Sequence, residues 1–129
     1  MSFDWKEYLI LAQFLQGNNE VVYSEEAARR AAVSRAYYAA FCLARNYASI
    51  KLGFDPKGRG EDHGNLISWY RVFETSNPSL SGISDNLDEL RIWRNTCDYD
   101  DKPRILTNLN LLAKSALDGA QEIIDALNI

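Results

Sequence analysis

The chain has 129 residues, 47% of them hydrophobic and 25% charged, with a formal net charge of −4 at neutral pH, which suits one soluble domain spanning 1–129 around a single core. No apolar run approaches the ~18 residues of a membrane helix, and Met1-Ser2-Phe3-Asp4-Trp5-Lys6-Glu7 lacks the basic-then-apolar order of a signal peptide, so a cytoplasmic location without a membrane partner is expected. Two distant cysteines, Cys42 and Cys97, and one histidine, His63, leave no metal-ligand spacing; no metal and no cofactor are expected, and the acidic balance argues against a bulk electrostatic nucleic-acid binder.

In chain order, a first helix is predicted over about Trp5 to Gln16, opened by Asp4 with Glu7 three places on, as in a capping box. Gly17-Asn18-Asn19 ends it. Ser24-Glu25-Glu26 places a hydroxyl cap and then acidic side chains at the positive end of a second, long helix reaching about Lys51 and stopping at Gly53. Its many alanines favour helix and let neighbouring helices approach closely, while Tyr37, Tyr38, Phe41 and Tyr47 fill the remaining space. Tyr38 and Phe41 are expected in the core.

Phe54-Asp55-Pro56-Lys57-Gly58-Arg59-Gly60-Glu61 carries the Gly and Pro punctuation of a mobile loop. A third helix follows Asp62 and carries Leu66, Ile67, Trp69, Tyr70 and Phe73, until Asn77-Pro78 interrupts it. A fourth covers roughly Ile83 to Cys97. The fifth is predicted to begin at Pro103, a favoured first helical position, with Leu106, Leu109, Ala113, Ala116, Leu117, Ala120, Ile124 and Leu127 at the spacing of a bundle seam. The fold expected is all-α, an antiparallel bundle of four to five helices.

On the fourth helix Ile83, Leu87, Leu90 and Cys97 recur on one face, which therefore points into the core. Arg91, Arg94, Asn95 and Asp98 share an adjoining face at i, i+3, i+4 and i+7. At about 100° per residue Arg94 lies beside the apolar stripe, where its guanidinium is partly desolvated unless an anion meets it. In one reading Asp98 pairs with Arg94 inside the helix, and Asn95 and Tyr99 cap its end. In the other, the two arginines and the amide form an anion surface whose planar forks fit phosphate oxygens.

Three segments carry a resemblance. Ser34-Arg35-Ala36-Tyr37-Tyr38-Ala39-Ala40-Phe41, followed by Ala44-Arg45, looks like the long-helix stretch of bacterial and archaeal HEPN (higher eukaryotes and prokaryotes nucleotide-binding) domains. Asp62-His63-Gly64-Asn65-Leu66 is similar to their His-Gly stretch after a loop. Leu87-x-x-Leu90-x-x-x-Arg94-Asn95-x-x-Asp98-Tyr99 resembles their late-helix motif, and order and separations agree over about Trp5 to Leu127.

The resemblance implies a HEPN-like bundle that dimerises with a second copy. It also implies a place in toxin–antitoxin, defence or RNA-processing systems, and a nucleotidyltransferase-type antitoxin as partner. Many members are metal-independent endoribonucleases that use an arginine followed four to six residues later by histidine; others bind nucleotides, RNA or proteins without that signature. Carried over residue by residue, the resemblance makes Arg94, Asn95, Asp98 and Tyr99 the candidate catalytic residues, and Arg91, Ser34, Arg35, Tyr37 and His63 candidates for binding RNA or a nucleotide. After Arg94 come Asn95, Thr96, Cys97, Asp98, Tyr99, Asp100 and Asp101, so the histidine of the signature has no counterpart. Cleavage without metal needs a proton acceptor near neutrality, and only His63, reaching the site in space or across a dimer, offers an imidazole. Three functions follow from this reading: a ribonuclease-like effector, a catalytically silent module binding RNA, a nucleotide or a protein, and a purely structural bundle.

Overall fold

A computed structural model describes residues 3–17, 23–101 and 108–129. Among them run five α-helices and no strand: α1 (Lys6–Gly17), α2 (Glu25–Lys51), α3 (Glu61–Glu74), α4 (Ile83–Tyr99) and α5 (Leu109–Leu127), with a 3-10 turn at Pro78–Leu80 before α4. The chain is an all-α bundle, as the periodicity predicts, and no described helix is long and apolar enough to cross a membrane.

Helix α2 is the axis against which the other four helices pack. Ser24 caps it by accepting a hydrogen bond from Ala27 N at 3.0 Å, and Arg29 and Arg30 pair with Glu25 and Glu26 one turn earlier. Ala32, Ala36, Ala39, Ala40, Ala44 and Ala48 are wholly buried; their small side chains let the neighbouring helices close on α2. Leu66, Leu80, Ile83, Leu87, Leu90 and Ile123 fill the core between them, each stabilising the fold by roughly 1.5–3 kcal/mol on burial. On α5 the seam holds at Ala113, Ala116, Ala120, Ile124 and Leu127, and Leu112 and Ile123 join it. Leu117 is only partly buried. Asn108 caps α5 by accepting from Leu111 N; the start expected at Pro103, and Leu106 with it, lie outside the described residues.

Two polar groups that periodicity does not reveal fix the joints around α4. Glu74, at the end of α3, accepts from Ser84 N at 2.8 Å and from Ser84 Oγ at 2.9 Å, supplying the side-chain cap that Gly82, at φ +89°, cannot. At the other end Arg30 of α2 donates to the carbonyls of Cys97 and Asp100 at 3.0 and 2.7 Å, meeting acceptors that a helix C-terminus leaves unpaired.

The segment expected to be a mobile loop is tethered instead. Phe54 is buried and packs edge-on against Trp69, whose Nε1 donates to Leu52 O at 2.9 Å. The buried Asp62 carboxylate accepts from Lys57 N and Gly58 N at 2.8–3.1 Å, and the Lys57 amide above all holds its pKa below the usual carboxylate value.

Glu74→Ala removes the cap of α4 without touching the apolar core. Chemical denaturation is expected to show a loss of about 1–2 kcal/mol with an unchanged denaturant slope; a loss under ~0.3 kcal/mol would show that the cap contributes nothing.

Candidate nucleic-acid interface

Arg94 occupies a core-facing position of α4, four residues after Leu90 and three before Cys97, and is only 8% exposed. Its guanidinium carbon lies 5.2 Å from the ring centres of both Tyr37 and Tyr38, and Nη1 donates to the Tyr38 hydroxyl at 3.2 Å. Its Nε is buried without a hydrogen-bond partner, as is the Nε of Arg91 one turn earlier. The intrahelical Arg94–Asp98 pair does not form. Asp98 points instead toward α2, where its Oδ2 accepts from Ser34 Oγ at 3.2 Å, and Ser34 in turn accepts from Arg35 Nη2 at 3.3 Å. Register explains this: Arg94 continues the buried stripe, whereas Asp98 is exposed at its edge.

Magnitudes say what that leaves. A buried donor without a partner costs about 1–3 kcal/mol, and more when charged, whereas each cation–π contact returns roughly 0.5–2 kcal/mol. Two rings and one neutral hydroxyl therefore hold the guanidinium in place without neutralising it. A charge so placed gains strongly from an anion.

Helix α3 completes the group. His63 stacks on Phe41 with ring centres 4.1 Å apart, lies nearly parallel to Tyr37, and shares a short hydrogen bond through Nδ1 with the Tyr37 hydroxyl. Tyr37 is 1% exposed, and burial, outweighing the nearby arginines, raises its pKa, so it stays a phenol. The same burial, reinforced by the positive fields of Arg94 and Arg91, pushes the His63 pKa down to about 4. At neutral pH the imidazole is therefore uncharged, and Nε2 is the nitrogen that Tyr37 does not hold. A Cβ on Gly64 would lie 3.4 Å from Arg91 Nη1, so the residue after His63 lets that guanidinium come close to α3.

Of the residues singled out from sequence, Arg91, Arg94, Tyr37 and His63 come together where α2, α3 and α4 meet. Ser34, Arg35 and Asp98 form a hydrogen-bonded string beside them. Asn95 and Tyr99 do not join: both are exposed, Tyr99 by 74%, and α4 ends with the Asp100 amide donating to Thr96 O. The tyrosines exchange expected roles, since Tyr37 is the buried ring and Tyr38 the half-exposed one. Tyr38 is a site residue the sequence reading missed; its spacing of three from Arg35 was the available signal. Among the described residues no cluster of three or more histidine, cysteine, aspartate or glutamate side chains is arranged to hold a metal ion.

Comparison with family models, with curated proteins and with solved structures finds no match to this chain.

His63 is expected to titrate near pH 4 in an NMR experiment, well below the usual 6.5. Because the folded pKa is depressed, neutral His63 favours the native state above about pH 6.5, and that contribution is lost as the pH falls toward 4. Arg94→Gln removes a positive neighbour and should move the midpoint up toward 6.5. A wild-type midpoint at or above 6.5 would contradict this arrangement.

Proposed function

We propose that the chain is a HEPN-type helical module that binds the phosphate of RNA or of a nucleotide where Arg91, Arg94, Tyr37, Tyr38 and His63 meet. The observation that carries this reading is the Arg94 guanidinium, buried over two tyrosine rings with its Nε unsatisfied and no carboxylate within ion-pair distance among the described residues. A phosphate offers oxygens to the guanidinium heads of Arg91 and Arg94 together. Support from sequence is that the three segments resembling HEPN motifs, on α2, α3 and α4, are the ones that supply the site. The toxin–antitoxin or defence setting, the homodimer and the nucleotidyltransferase partner rest on the resemblance alone.

A second reading, metal-independent ribonuclease activity, is favoured by one feature. His63 reaches the arginines through Tyr37 although it is far from them in sequence. Neutral at pH 7, it is in the protonation state to take the proton of a 2′-hydroxyl, while Arg91 and Arg94 would meet the charge of the phosphorane. Its pKa of about 4 makes it a weak base until a bound phosphate screens the arginines and raises it.

Binding is tested by fluorescence anisotropy with a labelled single-stranded oligoribonucleotide in EDTA at fixed salt. Arg94→Ala is expected to weaken binding at least tenfold; equal affinity of variant and wild type would sink the phosphate site. Cleavage of the same RNA, abolished in both Arg94→Ala and His63→Ala, selects the ribonuclease. Binding without cleavage selects the silent module.

A further inference from the structure

Beside the phosphate site runs a groove of about 360 Å³ between α1 and α2, lined by Trp5, Tyr8, Arg35, Tyr38, Phe41 and Arg45, with Cys42 at its floor. The Arg35 guanidinium lies between two rings, 4.9 Å from the centre of Tyr8 and 5.0 Å from that of Tyr38. Arg45 stands 5.8 Å from Trp5 and 5.9 Å from Phe41, and its head group donates to Asn46 Oδ1. Trp5 and Tyr8 themselves meet edge to face.

On this side unpaired guanidinia lie over aromatic rings. Arg29, Arg30, Arg71 and Lys57 each have a carboxylate within ion-pair distance. Arg35, Arg45, Arg91 and Arg94, like Lys6, Lys51, Arg59 and Lys114 elsewhere, form no ion pair among the described residues, although the chain carries more acidic than basic side chains. Rings link three of those guanidinia: Tyr38 contacts both Arg35 and Arg94, and Phe41, beside Arg45, stacks on the Tyr37 ring that lies under Arg94. Tyr38 is therefore common to the groove and to the Arg94 group.

We propose that the α1–α2 groove is a base-stacking subsite. It receives an unpaired base of the nucleic-acid strand whose phosphate lies on Arg91 and Arg94, and so rests on the phosphate reading. Flat aromatic and guanidinium faces interleaved at stacking distance suit a planar base, and every base has such a face. An acidic peptide would match the charge alone, whereas the lining also presents the rings of Trp5, Tyr8, Tyr38 and Phe41, against which a base can stack. The volume lies in the range of small-molecule sites and accommodates one nucleoside. A base held inside a duplex could not enter, so the subsite selects single strands.

The test compares a labelled single-stranded hexaribonucleotide, read by anisotropy, with inorganic phosphate, read by the His63 resonance. In Tyr8→Leu and in Arg45→Gln the ratio of oligonucleotide to phosphate affinity is expected to fall about tenfold. A duplex of the same sequence should bind the wild-type protein about tenfold more weakly than the single strand. An unchanged ratio in both variants, with phosphate still moving His63, overturns the subsite and leaves the phosphate reading standing. Phosphate that fails to move His63 overturns the phosphate reading itself. A polyglutamate peptide binding as tightly as the oligonucleotide overturns the preference for bases. Arg45 is partly buried, with its head group on Asn46 Oδ1, and Arg45→Gln keeps a polar head there, so this variant remains informative should Tyr8→Leu fail to fold.

Discussion

A guanidinium without a counter-charge, at a position that elsewhere in the helix belongs to leucine and isoleucine, governs the chemistry of this molecule. Ile83, Leu87 and Leu90 lead along one face of α4, and the next residue on that stripe is Arg94. The side chain is kept there by the faces of Tyr37 and Tyr38 and by one neutral hydroxyl. That placement adds to the burial that lowers the His63 pKa and works against the burial that keeps Tyr37 a phenol.

The rest of the bundle makes the placement possible. An alanine-rich α2 lets α4 come near enough for ring and guanidinium to touch, and Tyr37 and Tyr38, adjacent on α2, diverge to cover two sides of it. Arg30 on the carbonyls at the end of α4, and Glu74 on the Ser84 amide and hydroxyl at its start, hold that helix in register against its neighbours. The tethered loop does the same for α3: Asp62, fixed by the amides of Lys57 and Gly58, immediately precedes His63 and sets where the imidazole stands. Capping carboxylates, alanines and Arg30 build the frame, while Arg91, Arg94, Tyr37, Tyr38 and His63 gather where α2, α3 and α4 meet.

Much of the architecture was legible without coordinates. Periodicity located the buried stripe of α4, the seam of α5 and the cap of α2, because those follow from short-range spacing alone. The closeness of Arg94 to the apolar face was readable in the same way. The destination of Asp98 was not: its partner Ser34 lies on another helix, and spacing within one helix favoured the local pair. The choice between Tyr37 and Tyr38 as the buried ring also depends on the orientation of α2 between α3 and α4, which local pattern leaves undetermined. Arg45, Trp5 and Tyr8 escaped a reading centred on the α4 stripe, since a groove between two helices appears only once they are docked.

On the phosphate reading, Arg94 serves a ligand and not the stability of the free protein. Replacing buried charge by an apolar side chain of similar length is commonly neutral or stabilising. Arg94→Met, measured by chemical denaturation and by phosphate titration in parallel, addresses the claim directly. Stability equal to wild type or higher by about 1–3 kcal/mol, together with lost phosphate affinity, is the expected pair of results. A destabilisation of several kcal/mol with phosphate affinity intact would mean that the guanidinium is a structural member of the bundle and nothing more.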